Sequence, residues 1–171
     1  METSSQTPDR ILEVHLHRLL VAVDGSRTAD LALSAAVTAA RRDHAALTLL
    51  AVVPDVLATA TRWITPAGAP DPAALQEEAD AAAQRMLRET VARISDDIPV
   101  TTVIRHGKPG PEIVAQAAEC DYDAILVGAR GVGRVGALLG SVSAYVLHHA
   151  STAVFVAHAP AVADRGETRG R

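Results

Sequence analysis

The sequence predicts an α/β fold, a single Rossmann-like domain on a doubly wound sheet of parallel strands. Short apolar runs of strand length alternate along the chain with amphipathic stretches of helical spacing. Continuous apolar character suits strands covered on both faces, and strict alternation suits parallel strands joined by crossover helices. The length of 171 residues allows one domain with its own core, and the 49% of hydrophobic residues can supply that core.

The two ends of the chain differ from the part between them. Met1–Asp9 is polar, and Pro160–Arg171 shows no apolar periodicity. We therefore expect one domain over 18–158. An N-terminal extension at 1–17, flexible in part, and a flexible C-terminal tail at 159–171 are expected to flank it.

The first half of the chain predicts two strands and two helices. Leu19–Val23 and Ala46–Val53 are continuous apolar runs of strand length. Between them, apolar residues over 31–42 fall on one helical face, and two arginines lie in the last turn, near the negative end of the helix dipole. A helix over 72–91 follows a long connection, because Asp71 is a good N-cap and the next residue is proline.

The second half predicts three strands and two shorter helices. Val100–Arg105 and Ala124–Val127 are apolar runs, and a Pro-Gly-Pro sequence opens a helix over 109–117 between them. A further helix over 141–149 precedes the last strand, Ala153–Ala157. The count is therefore five strands that alternate with four helices.

Composition excludes several classes of function. The 16 Lys+Arg against 20 Asp+Glu give a formal charge of −4, and aromatic residues make up 2% of the chain. A mildly acidic surface with few stacking side chains argues against non-specific binding of nucleic acid or anionic membranes. The single cysteine, Cys120, excludes an intramolecular disulfide. Without an apolar signal region or spanning segment, we expect a soluble, cytoplasmic protein with no membrane attachment.

The most informative segment is Gly128–Ser143, where five glycines lead from a strand into a helix. Glycine lets backbone N–H groups approach a ligand, and the following helix start attracts an anion. Ser141 and Ser143 can add hydroxyl donors, and Arg130 and Arg134 can supply positive charge. These features describe a phosphate cradle. The alternative is a glycine-rich connector with an ordinary serine N-cap.

Two familiar phosphate motifs do not fit this segment. Gly131–Gly136 matches the pattern G-x-G-x-x-G. A dinucleotide site also needs an acidic residue about 20 residues further on, at the end of the next strand. That strand instead ends at Ala157, followed by histidine. A Walker loop needs Ser or Thr after Gly-Lys, and here that position is Pro109.

Several motifs together resemble the universal stress protein family over about 18–157, nearly the whole chain. The matching residues are Leu19–Ser26, Leu49–Asp55, Gly107 with Pro109, Asp123–Gly128 and Gly140–Ser143. The resemblance implies strand order 3-2-1-4-5, a homodimer through the last strand, and the ATP-binding branch of the family. The signature of that branch is G-x2-G-x9-G-[S/T], whereas only eight residues, 132–139, separate Gly131 from Gly140 here.

The resemblance also implies which residues bind the nucleotide. Adenosine would contact Ala22, Val23, Asp24, Val52, Val127 and Gly128. The Asp24 carboxylate would lie near adenine or ribose. Turn chemistry alone leaves Asp24 open to another role, as the N-cap of the first helix, although Ser26 or Thr28 could also cap it. The phosphates would be held by Gly131, Gly140, Ser141, Val142 and Ser143, with a divalent ion, expected to be Mg²⁺, bridging their oxygens.

The last strand, Thr152–Ala157, would be an exposed apolar edge in a monomer, so self-pairing is expected there. These expectations describe an ATP-binding stress-response or signalling dimer that changes its contacts with an unknown regulatory protein partner. Two alternatives stay open: a slow hydrolase or phosphotransfer enzyme that recruits Arg130, Arg134 or His106, and a dimeric scaffold without nucleotide.

Overall fold

The computed structural model describes residues 15–60, 71–129 and 139–158, which form a five-stranded parallel sheet flanked by helices. The strand order is β3-β2-β1-β4-β5, which confirms the order expected from the resemblance. In chain order the elements are β1 (Arg18–Ala22), α1 (Arg27–Asp43), β2 (Ala46–Val53), α2 (Val56–Ala60), α3 (Pro72–Val91), β3 (Val100–His106), α4 (Pro109–Glu119), β4 (Ala124–Gly128), α5 (Ser141–His149) and β5 (Ala153–Ala157).

The structure corrects the expected number of helices, because a short helix, α2, lies within the connection after β2. Its first turn is stabilised by side chains. The Asp55 carboxylate accepts the N–H of Ala58 at 2.8 Å, and the Gln76 side chain on α3 accepts the N–H of Val56 at 2.9 Å. Five residues are too few for a periodic pattern. The bond from α3 is a tertiary contact that the local sequence does not contain.

The central strands are continuous apolar runs because both faces of the sheet are covered. Leu19 and Val21 of β1 pack into a core formed with α1 and α3. Leu20 points the other way, into a second core that includes Ile113 of α4 and Val146 of α5. These three side chains, Leu19, Leu20 and Val21, are fully buried. The sheet therefore packs against one core on each face. Its carboxyl edge lies between the two layers of helices.

The helix starts follow the capping signals of the sequence. Ser26 is the N-cap of α1 and its hydroxyl accepts the N–H of Ala29 at 3.2 Å. Asp71 caps α3 in the same way, through the N–H of Ala73 at 3.0 Å, and is followed by Pro72. No helix within the described residues is long and apolar enough to cross a membrane.

Candidate functional site

A cleft opens at the carboxyl edge of the sheet where the chain order reverses between β1 and β4. Parallel strands end at this edge, and ligands of such sheets bind at the reversal point. The cleft contains about 530 Å³ of empty space, counting its open mouth. The part enclosed by protein is about 100 Å³, so a ligand of nucleotide size would extend into the open mouth. The residues that line it are Ala22, Val23, Asp24, Ser26, Ala29, Leu50, Val52, Pro109, Ile113, Val127, Gly128 and Val142.

Seven of the residues predicted from the sequence lie together in this lining: Ala22, Val23, Asp24, Val52, Val127, Gly128 and Val142. Five others were not predicted as site residues. Ser26 is the N-cap of α1, Ala29 lies in its first turn, and Leu50 lies on β2, two positions before the predicted Val52. Pro109 and Ile113 come from the first turns of α4. Pro109 was noted as a helix start and as part of the family resemblance, but not as a site residue. Their contribution depends on how α4 packs across the sheet.

The turn after β1 shows which residue caps α1 and what Asp24 does. Asp24 accepts the backbone N–H of Ser26 at 2.9 Å through Oδ1. This small loop needs Gly25, whose φ of 74° lies in the left-handed region. Since Ser26 caps the helix, the Asp24 carboxylate is not used as the cap. It is exposed and borders the cleft.

Gly128 lies where β4 meets the first turn of α1. A Cβ atom on this residue would be 2.6 Å from Oγ1 of Thr28 and 2.7 Å from the backbone nitrogen of Ala29. Those distances are shorter than any tolerated carbon contact, and one neighbour is backbone. Glycine at this position therefore allows β4 and α1 to approach, and the cleft floor depends on that approach.

The predicted phosphate segment is described at its two ends. Ala129 follows β4, and Gly140 is the N-cap residue of α5, with no side-chain capping bond. The N–H of Gly140 donates to the carbonyl of Ala129 at 2.6 Å, so the two ends meet. The predicted residues Arg130 and Gly131 lie outside the described residues, as do Gly133, Arg134 and Gly136.

The serines of this segment have different surroundings. Ser141, the first residue of α5, is exposed near the cleft residue Val142. Ser143 is 1% exposed. Its hydroxyl oxygen lies 3.0 Å from each of two carbonyl oxygens, those of Ala129 and Gly140. A direct contact from Ser143 to phosphate therefore stays a prediction.

His106, named above as a possible recruit for hydrolysis, belongs to a different surface. Its Nε2 lies 2.7 Å from Oδ1 of Asp80 on α3. This hydrogen bond lowers the pKa of Asp80, because it favours the carboxylate form. The neighbouring Arg105 points to α4, where it pairs with Glu112 and Glu119 at 2.7 Å each. Neither residue lines the cleft.

Few polar side chains line the cleft within the described residues. Asp24 is the single ionisable side chain in its lining, and Ser26 the single hydroxyl. The described part of the chain contains no cluster of three His, Cys, Asp or Glu side chains that could hold a metal ion. Apolar walls with one carboxylate suit a flat heterocycle that carries hydroxyl or amino groups.

Comparison with known proteins supports the fold and the motifs. The sequence profile of the universal stress protein family matches residues 15–158. A universal stress protein of Mycobacterium tuberculosis is 32% identical over 140 residues, which are 81% of this chain and 44% of that protein. The chain thus spans about half the length of the curated relatives it matches.

Two solved structures are informative. A universal stress protein of Lactobacillus plantarum is 32% identical, covers 85% of this chain and 99% of its own, and superposes with a TM-score of 0.71. A universal stress protein in complex with cAMP is 24% identical, covers 85% of this chain and 98% of its own, and has a TM-score of 0.56. The cAMP complex shares the fold. The profile match over residues 15–158 and the likeness to the Lactobacillus plantarum protein establish that the chain belongs to the universal stress protein family.

Proposed function

We propose that this protein binds ATP in the cleft between β1 and β4 and acts as a nucleotide-dependent regulatory dimer in stress response. One observation carries the proposal. The cleft brings apolar walls, the Asp24 carboxylate and the start of α5 to one place at the edge of the sheet. Such an arrangement offers a surface for a base, an acceptor for hydroxyl or amino groups, and backbone donors for an anion.

The base and ribose occupy the apolar part of the cleft in this proposal. Val52 and Val127 contact the faces of adenine, with Ala22, Val23 and Gly128 beneath it. Asp24 is placed to accept a hydrogen bond through Oδ2, since no described residue donates to that oxygen. The 2′ and 3′ hydroxyls of ribose or the amino group of adenine are the matching donors.

The phosphates lie against the start of α5. The N–H groups of a helix start have no partners within the helix, and the dipole there favours negative charge. Gly140, Ser141 and Val142 form that start. Gly131 and Arg130 are proposed to complete the cradle from the preceding segment.

Mg²⁺ is proposed to accompany the nucleotide. Because the described residues provide no cluster of ligands, phosphate oxygens and water would supply most of its coordination, as is usual for this ion. The ion would neutralise phosphate charge. The protein would contribute the position of the phosphates.

The cAMP complex of a family member supports nucleotide binding in this fold. We propose ATP because the sequence between β4 and α5 contains four glycines and two arginines, residue types suited to more than one phosphate. Catalysis is not part of this proposal. Asp24 is the single titratable group among the described cleft residues, and no described side chain there is placed to assist both attack and leaving-group departure.

The functional unit is proposed to be a dimer of the domain at 18–158, with the extension at 1–17 and the tail at 159–171 outside it. β5 is an edge strand, and Phe155 on it is 52% exposed. Pairing of two β5 strands would cover this apolar edge. Nucleotide occupancy would then change the surface that the dimer offers to a regulatory protein partner.

A thermal-unfolding titration tests the proposal. Purified protein, first shown to carry no nucleotide, is titrated with ATP in the presence and absence of Mg²⁺. A ligand that binds only the folded state stabilises it by about 2.7 kcal/mol at 100 times its Kd. A clear rise in Tm is the expected result. An unchanged Tm at millimolar ATP, with the dimer intact, would refute ATP binding and favour a nucleotide-free scaffold.

A further inference from the structure

A groove runs between α3 and β3, at the edge of the sheet farthest from β5. It contains about 690 Å³ of space, which is room for several side chains. The walls are mainly apolar: the helix presents Leu87, Arg88 and Val91, and the strand presents Val100, Thr102 and Ile104. The groove shares no lining residue with the cleft between β1 and β4.

The backbone of β3 has one side that pairs with β2 and one side that faces outward. Leu47 donates its N–H to the carbonyl of Pro99 at 2.9 Å, and Gly107 donates its N–H to the carbonyl of Val53 at 2.9 Å. Hydrogen-bonding groups point to opposite sides at successive residues of a strand. Alternate residues from Pro99 onward therefore bond to β2, and the others direct their N–H and C=O groups outward.

The outward-facing residues are those that line the groove, namely Val100, Thr102 and Ile104. Their outward backbone groups have no partner within the described residues, because β3 pairs with β2 alone there. The same three residues thus present free backbone groups at the edge and side chains toward α3. An added strand would find hydrogen bonds and contacts for its side chains at one place.

The β3 edge lacks the features that usually prevent strand addition. Proteins protect edge strands with prolines, bulges or charged side chains. The register with β2 is unbroken from Val100 to His106, so the strand has no bulge. None of the three groove residues of β3 is charged or a proline. At the carboxyl end, Nε2 of His106 lies 2.7 Å from Oδ1 of Asp80 and joins β3 to α3, which closes the groove at that end.

The groove also carries a charge that indicates the chemistry of its partner. Arg88 is exposed, and no described side chain forms an ion pair with it. It is the single charged residue in the described lining. An acidic side chain in the groove would be attracted to this guanidinium, and a basic one would be repelled.

We propose that the edge of β3 docks an extended peptide segment of a partner protein, which adds a strand to the sheet, packs alternate apolar side chains between β3 and α3, and places an acidic side chain against Arg88. Main-chain bonds supply affinity in this mode of recognition, and alternate side chains supply specificity. The inference goes beyond the proposed function and does not depend on nucleotide binding, since the groove and the cleft are separate.

Fluorescence anisotropy with labelled peptides tests the charge on the full chain. The probe is the peptide Thr-Val-Thr-Glu-Thr-Val-Thr, in which the valines and the glutamate share one face of a strand. The comparison peptide has lysine in place of the glutamate. The glutamate peptide should bind about fivefold more tightly, because Arg88 attracts one and repels the other.

Arg88→Glu should reverse this preference, so that the lysine peptide binds more tightly. Arg85→Glu is the matched control, since it reverses an exposed charge of the same helix outside the groove lining. It should leave the preference of the wild type unchanged. A charge effect that comes from the whole surface would respond equally to both substitutions.

N-methylated peptides test the main-chain bonds without any change to the protein. One peptide carries a methyl group on the glutamate nitrogen, and another carries it on the nitrogen of the next threonine. In an added strand only one of these two N–H groups faces β3. One of the peptides should therefore lose about tenfold in affinity, and the other should bind like the parent probe.

Several results would overturn the inference. These are no binding of the glutamate peptide at millimolar concentration, equal affinities for the glutamate and lysine peptides, or equal effects of the two N-methyl groups. A second copy of this chain is the competing occupant. A wild-type oligomer that becomes smaller in Arg88→Glu, as measured by light scattering, would assign the groove to that copy and overturn the peptide partner.

Discussion

The carboxylate of Asp123 accepts the backbone N–H of Arg18 at 2.8 Å and thereby joins the residue before β4 to the first residue of β1. The same oxygen, Oδ2, accepts the N–H of His17 at 2.6 Å. These bonds hold the pKa of Asp123 below its ordinary value, because they favour the charged form. β1 and β4 form the floor of the cleft, so this carboxylate aligns them at the end opposite the site.

Removal of this contact should destabilise the fold in a pH-dependent way. A carboxyl group with a lowered folded-state pKa contributes its full stabilisation above its unfolded value of about 4 and loses it as the pH falls through the folded value. Asp123→Ala should therefore lower the free energy of unfolding by roughly 1–2 kcal/mol at pH 7, allowing for partial exposure. The difference should shrink by pH 3. Urea unfolding at both pH values measures it.

The control for this experiment is Asp121→Ala, which removes an exposed carboxylate from the same loop. It should change the unfolding free energy little at either pH. A loss in Asp123→Ala that is equally large at pH 7 and pH 3 would show that the charge contributes nothing.

The charge of Asp24 should matter for nucleotide binding more than for folding. In Asp24→Asn the amide oxygen can still accept the N–H of Ser26, so the turn is preserved. We expect the affinity for Mg-ATP to fall about tenfold, or about 1.4 kcal/mol, with an unchanged Tm in the absence of ligand. Asp30→Asn removes the same charge from a carboxylate that pairs with Arg93 outside the cleft lining. Equal effects of the two substitutions would argue against a ligand contact by Asp24.

Gly128→Ala should be among the most destabilising single-methyl changes in this fold. The added carbon would overlap Thr28 and the backbone nitrogen of Ala29, and the backbone cannot move aside without shifting α1. We expect a loss of roughly 3 kcal/mol. Gly25→Ala is the comparison, because its added carbon meets Met86 at an ordinary 3.5 Å and suffers only the strain of φ 74°, about 1–2 kcal/mol. Chemical denaturation ranks the two. A smaller loss at position 128 than at position 25 would contradict the steric argument.

The proposed dimer should depend on the apolar edge at β5. Phe155→Glu places a charge in the centre of that edge, and we expect the protein to become a monomer in light scattering coupled to size exclusion. Leu57→Glu is the matched control, because Leu57 on α2 is 47% exposed, close to the 52% of Phe155. The control should keep the oligomeric state of the wild type. Loss of the dimer in both variants, or in neither, would show that β5 is not the interface.

The strands were predictable because their signal is local. Leu19–Val23 and Ala124–Val127 were predicted from continuous apolar character. The observed β1 is shifted by one residue at each end, and the observed β4 is one residue longer. Burial on both faces leaves no polar alternation in such a strand, and that pattern is visible in the chain itself.

The parts that escaped prediction depend on distant contacts. The helix α2 is held by Gln76, twenty positions away from Val56. Pro109 and Ile113 reach the cleft because α4 packs over β2 and against α5. The hydroxyl of Ser143 is turned inward to Ala129, although a serine at a helix start after glycines usually suggests a ligand contact. Sequence pattern identifies the side chain, whereas its bonding partner is decided by the packing of the whole domain.

The location of the cleft floor has a consequence for amide hydrogen exchange. β1 and β4 are inner strands, each paired with a neighbour on both sides, so their N–H groups should exchange with deuterium only when the whole domain unfolds. The rim formed by the turn at Asp24 and the start of α5 has no such double pairing. A bound nucleotide should therefore slow exchange at the rim by a large factor and slow exchange in the floor only as far as it raises global stability. The floor of the site would thus stay protected from exchange with or without nucleotide, whereas protection of the rim would depend on the bound ligand.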